Sequence, residues 1–399
     1  MITKDSEIRR IYFDWAASAP DIAPFPIEPG LYGNPSSLHS EGRAAKLALE
    51  DARQRCASVL NVPASTIYFT SGGTESNGIA LFSTLTRRGQ GRIVASAAEH
   101  SSVREAMDTL DKMGKPTGVI TVDSEGRVTP ETLLKALDKY KDVRFVSVMA
   151  VNNETGSVTD IASLMEIIRK QTPPVHFHCD IVQAAGKVPI DISGWGIDSA
   201  SISAHKIGGP RGIGLLYLRH STSQTKTEVF YKGGGQENGI RGGTENIQGA
   251  IALANCMEMY ANTKILHENY ESAKVRWNKL ITSLSAIERC VIIPRQRTQQ
   301  LSHLNVQGDA VDGFSPYILQ VGFKGIPGEV LARALDDLGF AVSTGSACSS
   351  SSPERPVLAA MGIEENLRIE GIRVSQGFTT TDENIDLLLD AIAEVLKFL

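Results

Sequence analysis

An alternation of two kinds of segment between residues 41 and 220 constrains the fold most strongly. The helix-like segments span residues 41–60, 74–88, 101–113, 130–140 and 160–171. Short apolar runs separate them, namely TIYFT ending at Thr70, RIVAS at Ser96, VRFVSVM at Met149, VHFHC at Cys179, SASIS at Ser203 and GIGLLYL at Leu218. Short strands that alternate with helices of this length predict a mainly parallel α/β sheet covered on both faces. The last run follows SASIS through a glycine-rich turn, which favours one antiparallel pairing inside that sheet.

The rest of the chain predicts a second, α+β unit. A chain of 399 residues exceeds the size at which one hydrophobic core usually stops growing, so two domains are expected. A long helical stretch from about Glu245 to Leu284 follows the glycine-rich segment 233–243 and could bridge them. Beyond it we expect strands near residues 301–306, 316–323 and Arg373, a helix at 328–338 and a last helix from Asp382.

Composition excludes several classes of partner. The chain is 42% hydrophobic and 21% charged, which is ordinary for a globular protein. Its formal net charge of -5 gives no electrostatic reason to expect nucleic acid or an anionic membrane as a partner. No apolar run approaches the roughly 20 residues that cross a bilayer. The first residues, MITKDSEIRRIYFDW, lack the apolar region of a signal peptide, so we expect a cytoplasmic protein.

The pattern of cysteines also indicates a cytoplasmic protein, and one of them, Cys348, has an unusual setting. Their number is odd, they are scattered, and they form no C-x-x-C pair, which argues against disulfides or a zinc site and for free thiols. Cys56, Cys256 and Cys290 lie in helix-like or apolar stretches and are expected to be small buried residues. Cys348 lies instead among serines and glycine in STGSACSSSSSP, which is typical of a loop. Such a thiol can be a nucleophile or an incidental exposed cysteine.

The segment SGGTES, residues 71–76, lies between a predicted strand and a predicted helix. Glycines let a backbone approach an anion, Thr74 offers a hydroxyl group, and a helix N-terminus offers unpaired N–H groups. The segment matches neither the Walker A loop nor the G-x-G-x-x-G turn. A phosphate-binding loop and an ordinary turn with a helix N-cap explain it equally well.

Two more predicted strands are followed by residues that can take part in catalysis, an acid and a lysine. Asp180 follows VHFHC, with Gln183 three residues on, and could face the ligand crevice of an open α/β sheet or cap a short helix. Lys206 follows SASIS in a glycine-rich turn with Ser203 and His205 nearby, a setting that favours Schiff-base chemistry. An acid, a lysine and a phosphate-binding loop are the three parts of a pyridoxal phosphate (PLP) site. Their occurrence together predicts that cofactor.

The chain resembles the cysteine desulfurases of the NifS/IscS type, within the class V aminotransferase-like group of fold-type I PLP enzymes. The resemblance runs from Tyr12 to Glu383. Its motifs are GNPSSLHSEGR (33–43), FTSGGTESN (69–77), AEHSSV (98–103), VNNETG (151–156), CDIVQAAGKVPID (179–191), SAHKIGGPRGIG (203–214), GGGQENGIRGGTEN (233–246) and STGSACSS (343–350). It implies a large PLP-binding domain with a mainly parallel seven-stranded sheet, residues 15–258. Residues 1–14 and 259–399 would form the smaller α+β domain.

The resemblance also implies roles for the cofactor-binding residues. Lys206 would form the Schiff base with PLP and then move protons at the substrate α-carbon. Asp180 would pair with the pyridinium nitrogen, and Gln183 would reach the ring hydroxyl. Gly73, Thr74, Ser203 and His205 would bind the phosphate, joined by Thr244 from the second subunit of a homodimer.

Three further residues would serve the substrate. His100 would stack on the ring and act as an acid–base group, Asn153 would lie near the ring and the substrate carboxylate, and Arg373 would clamp that carboxylate. A histidine after a strand can also cap a helix, and the asparagine of VNNETG can simply make a turn. These alternatives stay open for His100 and Asn153.

The implied activity is removal of sulfur from L-cysteine, giving L-alanine and a persulfide on Cys348. The sulfur would pass to an acceptor protein, for example in iron–sulfur cluster assembly. Selenocysteine lyase, a small-amino-acid aminotransferase or a sulfur-relay subunit of low activity are the alternatives. The chain departs from its relatives in two places, with DWAASAP at residues 14–20 and with Asn238 where relatives generally carry arginine.

Overall fold

The computed structural model describes residues 9–22, 31–86, 91–219, 229–300, 313–345 and 355–399. The strands of this part are β1 Ile11–Tyr12, β2 Ile67–Thr70, β3 Arg92–Ser96, β4 Thr117–Ile120, β5 Val143–Met149, β6 His176–Asp180, β7 Ser199–Ser203, β8 Gly214–Leu218, β9 Cys290–Ile293, β10 Ile318–Phe323, β11 Phe340–Ala341 and β12 Gly371–Ser375. Its helices are α1 Ser40–Val59, α2 Gly73–Phe82, α3 Ser101–Lys112, α4 Pro130–Lys139, α5 Ile161–Ile168, α6 Ile192–Trp195, α7 Ile247–Tyr260, α8 Thr263–Ser285, α9 Gln296–Gln300, α10 Gly328–Asp337, α11 Pro356–Ala360, α12 Glu365–Glu370 and α13 Asp382–Val395.

A seven-stranded sheet forms the centre of the larger part, in the order β2-β8-β7-β6-β5-β3-β4. Only β8 runs against its neighbours, β2 and β7, and the other pairings are parallel. Two successive reversals leave β2 parallel to β7, so the carboxyl ends of β2, β7 and β6 meet at one edge. The predicted α/β class and the antiparallel pairing are therefore confirmed.

The second sheet is antiparallel, with the order β12-β10-β9. Its apolar face packs with α8, α10 and α13 in a hydrophobic cluster separate from the one around the large sheet. The short parallel pair β1–β11 brings the start of the chain to this second cluster. The strand predicted near residues 301–306 lies outside the described residues. Within those residues, no helix is long and apolar enough to span a membrane.

The long helix predicted from Glu245 to Leu284 is wrong as a single element. The segment forms α7 and α8, and the break falls at Ala261 and Asn262. The Asn262 side chain accepts a hydrogen bond from the Lys264 backbone N–H at 3.2 Å and so caps α8. An asparagine side chain that satisfies the free N–H groups of a new helix competes with continuation of the previous one.

Candidate active site

A small cavity of about 70 Å³ lies where the carboxyl edge of the seven-stranded sheet faces the second sheet. The structure brings four of the predicted site residues to its wall. They are His100 and Asn153 from the large part, Lys206 after β7, and Arg373 from β12. Ala16, Ala17, Ser101, Arg104, Glu154 and Gly345 complete the lining.

Lys206 sits in a single helical turn, Ala204–Lys206, directly after β7. Its Nζ atom donates hydrogen bonds to the carbonyl oxygens of Ala16 at 2.6 Å and Ala17 at 2.8 Å. The DWAASAP segment therefore forms the wall that faces the lysine. Its Trp15 is buried and packs edge-on against Phe378, with ring centroids 5.9 Å apart, which holds this wall in place.

Asp180 ends β6 and is only 4% exposed. One carboxylate oxygen accepts from the Val182 backbone N–H at 2.9 Å, and the other accepts from the Asn77 side-chain amide at 2.8 Å. The Asn77 amide oxygen in turn lies 2.9 Å from Nε2 of His178. Burial lowers the pKa of His178 to about 4, so that imidazole is neutral at pH 7 and donates from Nε2 to Asn77. This network fixes the orientation of the Asp180 carboxylate.

The helix-cap alternative is confirmed for His100, and its side chain also reaches the cavity. It is the N-cap of α3, and it also lines the cavity. Its Nδ1 atom accepts from the Ser102 backbone N–H at 3.1 Å and lies 2.9 Å from the Ser102 hydroxyl oxygen. Because Nδ1 is an acceptor, the proton of the neutral ring is on Nε2. Burial lowers the pKa of His100, so at pH 7 it is a neutral ring whose Nε2–H can be donated.

The SGGTES segment has the geometry of an anion site. Helix α2 begins at Gly73, and its N-cap Gly72 has φ of 154° and leaves the first turn without a side-chain cap. A Cβ atom at Gly73 would lie 2.7 Å from the Val182 side chain, so this approach requires glycine. A Cβ atom at Gly72 would lie 3.4 Å from the Ser203 hydroxyl oxygen, which places that hydroxyl beside the helix start.

His205 and Thr244, which are also predicted to bind the phosphate, contact other parts of the chain. His205 has a ring nitrogen 3.2 Å from the Ser18 hydroxyl oxygen, and burial lowers its pKa to about 4, so it is neutral. Thr244 is exposed and lies outside the cavity lining. The glycine-rich segment before it is anchored by Glu237, which accepts from the Phe69 N–H at 2.8 Å and from Arg53 at 2.7 Å. That anchor joins the segment to β2, the strand that leads into SGGTES.

Arg373 faces the cavity from β12 and is 3% exposed. Its guanidinium group donates to the Asn153 carbonyl oxygen at 2.9 Å and to the Asp14 carboxylate at 2.8 Å. Within the part of the chain that the structure describes, its Nε–H and the Asn153 side-chain oxygen are buried without a hydrogen-bond partner. Glu154 is buried beside them, and that burial raises its pKa, although the Arg373 charge opposes the shift.

Sequence reasoning missed several residues that support the site. Asn77 and Asp14 lie in or beside the quoted motifs, but only the tertiary structure shows that they hold Asp180 and Arg373. Glu99 is also fully buried, accepts from the Ser147 hydroxyl at 3.0 Å, and has its pKa raised to about 8 by burial and then by Asp180. Lys187 is 1% exposed next to Gln183.

Three of the five cysteines, Cys56, Cys179 and Cys256, are buried, and Cys290 is half-buried. Burial raises the pKa of Cys56, Cys256 and Cys290 to about 12 and that of Cys179 well above its ordinary value. Thiols with such pKa values are inert as nucleophiles near pH 7. The expectation of a buried position is confirmed for Cys56 and Cys256, whereas Cys290 is only half-buried. Cys348 lies outside the described residues.

Comparison with known proteins identifies the family. The model of the family described as aminotransferase class-V matches residues 11–388. This chain belongs to the class-V aminotransferase family. A cysteine desulfurase IscS of Dictyoglomus turgidum is 35% identical to it over 400 residues, which are 98% of this chain and 95% of that protein. A cysteine desulfurase IscS of Methanosarcina thermophila is 34% identical over 98% of this chain and 93% of that protein. A solved structure described as a NifS-like protein superimposes with a TM-score of 0.85 at 32% identity, covering 98% of this chain and all of the other.

Membership of the class-V family implies PLP as the cofactor, and the residues of this chain fit that group. The α2 N-terminus has no side-chain cap hydrogen bond from its N-cap residue, Gly72. Val182 can pack closely against Gly73 because Gly73 has no side chain. A buried carboxylate and a lysine stand at the ends of β6 and just after β7. These are the donor, the acid and the amine that bind a phosphate, a pyridine nitrogen and an aldehyde carbon.

Proposed function

We propose that this class-V family member is a cysteine desulfurase that removes sulfur from L-cysteine, releases L-alanine and carries the sulfur as a persulfide on Cys348. The main support for this proposal is the placement of three side chains. Lys206 and the guanidinium group of Arg373 line one small cavity from opposite sheets, with Asp180 fixed at the neighbouring strand end. This arrangement offers an amine for the cofactor and a planar cation for an amino-acid carboxylate.

The sheet-edge residues would bind the cofactor. PLP, when bound, withdraws electrons from the bond between the substrate α-carbon and its hydrogen. Lys206 holds the cofactor through Nζ and then moves the proton at the α-carbon. Asp180 places a fixed negative charge at the ring nitrogen, and Gln183 reaches the ring hydroxyl. Gly73, Thr74, Ser203 and His205 bind the phosphate.

The residues of the opposite face would bind the substrate. Arg373 Nε–H and Asn153 Oδ1 are buried beside the cavity with no hydrogen-bond partner among the described residues, so a ligand carboxylate could accept from the first and a ligand ammonium group could donate to the second. A buried polar atom without a partner costs about 1–3 kcal/mol, so satisfying it favours binding. We therefore assign the substrate carboxylate to Arg373 and place Asn153 beside it, with Oδ1 accepting from the substrate ammonium group.

Cys348 would take the sulfur atom. Its thiolate forms an S–S bond with the substrate sulfur while the substrate C–S bond breaks, and the bonding electron pair stays with the β-carbon. The β-carbon takes a proton, for which His100 Nε2–H is the available donor, and alanine results. No external oxidant is needed, because the sulfur is oxidised as the carbon is reduced. Two facts support this assignment: Gly345, three residues before Cys348, lines the cavity, and the other four thiols have raised pKa values.

The larger organisation is part of the same proposal. Residues 15–258 would form the large PLP-binding domain, and residues 1–14 and 259–399 the small one, in keeping with a hydrophobic cluster built only from residues within 11–13 and 277–395. The exposure of Thr244, away from the cavity of its own chain, is what a residue that binds the phosphate of a second subunit in a homodimer requires. The sulfur would pass to an acceptor protein in the cytoplasm, for example in iron–sulfur cluster assembly.

One assay tests the activity. The protein loaded with PLP is given L-cysteine, and alanine and sulfide are measured with and without a thiol reductant. We expect alanine in amounts equal to the sulfur transferred, and loss of both products in Cys348→Ser. Alanine release by Cys348→Ser at the wild-type rate would contradict the role of Cys348. Turnover of selenocysteine with no turnover of cysteine would favour the lyase alternative, and keto acid in place of alanine would favour an aminotransferase.

A further inference from the structure

Lys187 is a buried lysine that the proposed reaction does not use. It lies in the turn region between β6 and α6, and it is 1% exposed. Its Nζ atom lies 3.4 Å from the side-chain oxygen of Gln183. Among the described residues it forms no ion pair with a carboxylate, and the charged groups that act on it are the cations Lys206 and Arg373.

A charge in this position destabilises the folded protein. Burial, followed by the repulsion of Lys206 and then Arg373, lowers the pKa of Lys187 to about 7. Buried charges without a partner are costly, and an apolar side chain of similar volume is usually as stable or more so. Lys187 therefore contributes no more to the stability of the fold than a methionine would. Its position next to a predicted cofactor-binding residue suggests a functional reason instead.

The hydrogen bonds around Lys187 lead to the catalytic lysine. Lys187 Nζ donates to the Gln183 side-chain oxygen, so the amide nitrogen of Gln183 points away from Lys187. The Gln183 nitrogen then donates to the Ala16 carbonyl oxygen at 2.8 Å. Lys206 donates to that same oxygen at 2.6 Å. Gln183 is 3% exposed, so water has little access to replace Lys187 as the donor.

We propose that Lys187 is a positioning residue that acts through Gln183, holding the amide of Gln183 with its N–H groups toward Ala16 and the cofactor. This inference rests on the proposed function, since it needs PLP at Lys206. An amide turned the other way would place its oxygen against the Ala16 carbonyl oxygen and would have no hydrogen to offer the ring hydroxyl. The role is one of orientation, so it does not require Lys187 to touch the cofactor or the substrate.

A double-mutant cycle tests the inference. Lys187→Met, Gln183→Ala and the double variant are compared with the wild type for the dissociation constant of PLP and for the absorbance band of the bound cofactor. Lys170→Met, at an exposed lysine, is the matched control. We expect Lys187→Met to weaken PLP binding by about five- to tenfold and to shift the band, which is the usual cost of losing one buried hydrogen-bond partner. In the Gln183→Ala background the same change should have an effect below about twofold.

The outcomes separate this inference from the function on which it rests. A wild-type protein that takes up no PLP contradicts the proposed function. A wild type that binds PLP, together with an unchanged constant and band in Lys187→Met, overturns the role of Lys187 alone. An equally large effect of Lys187→Met with and without Gln183 also overturns it, because the residue would then not act through that amide. Thermal unfolding of the PLP-free proteins checks the fold, and Lys187→Met should unfold no earlier than the wild type.

Discussion

The two walls of the candidate site differ in how completely their polar groups are satisfied. At the edge of the seven-stranded sheet, both Asp180 oxygens, His100 Nδ1 and Lys206 Nζ already have hydrogen-bond partners within the protein. Across the cavity, Arg373 Nε and Asn153 Oδ1 are buried with no hydrogen-bond partner among the described residues, and so are atoms of Gln320 and Arg355 outside the cavity lining. Groups that already have their partners are preorganised, whereas buried unpaired groups cost free energy until something binds them.

This difference matches two kinds of ligand. A resident cofactor needs a rigid site that exists before the substrate arrives, and the sheet edge provides it. A substrate that comes and goes gains affinity from groups that are unsatisfied without it. Changes at the sheet edge should therefore affect cofactor retention first, and changes on the opposite wall should affect substrate binding while the cofactor stays.

The largest effect is expected for Lys206→Ala. Without the amine, the cofactor has no covalent attachment, so the absorbance of bound PLP and all alanine release should disappear. Lys135→Ala, at an exposed lysine of α4, is the control and should behave as the wild type. Retention of an unchanged absorbance spectrum in Lys206→Ala would break the assignment of this lysine. Absorbance spectra after gel filtration provide the measurement.

Arg373→Lys should distinguish the roles of the two walls in binding substrate and cofactor. A lysine cannot keep the contacts to Asn153 and Asp14 and also bind a carboxylate in a fork, because it lacks the planar guanidinium group. We expect KM for cysteine to rise roughly tenfold to a hundredfold, with PLP absorbance unchanged. Arg333→Lys, at an exposed arginine, is the matched control. If PLP were lost and KM unchanged, the division between the walls would be wrong.

The pH profile sharpens the role of His100. Burial lowers the pKa of this ring from its usual value near 6.5, so the neutral form persists as the pH falls through that value and is protonated only at lower pH. Protonation adds a hydrogen to Nδ1 and breaks its bond from the Ser102 N–H. The rate should therefore fall on the acid side at a pH below 6.5. His100→Gln should lower the rate about tenfold to a hundredfold and remove this acid limb. An acid limb that persists in the variant would contradict the assignment.

The smallest effect concerns stability at the sheet edge. Lys187 has a pKa of about 7 in the folded protein against 10.5 for an ordinary lysine. Between these values the unfolded chain holds a proton that the folded protein lacks, so this residue makes the wild type more stable as the pH rises. The free energy of unfolding of Lys187→Met does not rise with pH in this way. It should therefore exceed that of the wild type by most below pH 7, and the difference should shrink toward pH 10. Urea unfolding at several pH values measures it, and a constant difference would contradict the shifted pKa.

The sequence predicted those features that local pattern controls. Alternating apolar runs indicated β2, β3, β5, β6, β7 and β8, and their order along the chain placed Asp180 and Lys206 at strand ends of one edge. Strand β4 escaped prediction because it is a short edge strand with a glycine, and its Val119 is 57% exposed. The break between α7 and α8 carried a signal, Asn262, but no glycine or proline marks it.

The supporting residues could not be predicted because their roles depend on contacts between distant segments. Asn77 reaches Asp180 across 103 residues of sequence, and Asp14 reaches Arg373 across 359. Lys187 follows a glycine and precedes Val188 and Pro189, a setting in which lysine is usually exposed. Only the packing of the segment after β6 against the DWAASAP wall places it behind Lys206.

In the proposed reaction, Lys206 activates cysteine so that Cys348 receives its sulfur. Mass spectrometry of peptides from the protein after brief exposure to L-cysteine tests it directly. We predict that one sulfur atom is added to the peptide that contains Cys348, and that the addition is lost in both Cys348→Ser and Lys206→Ala. Sulfur on another cysteine, or on Cys348 at the wild-type level in Lys206→Ala, would contradict the account.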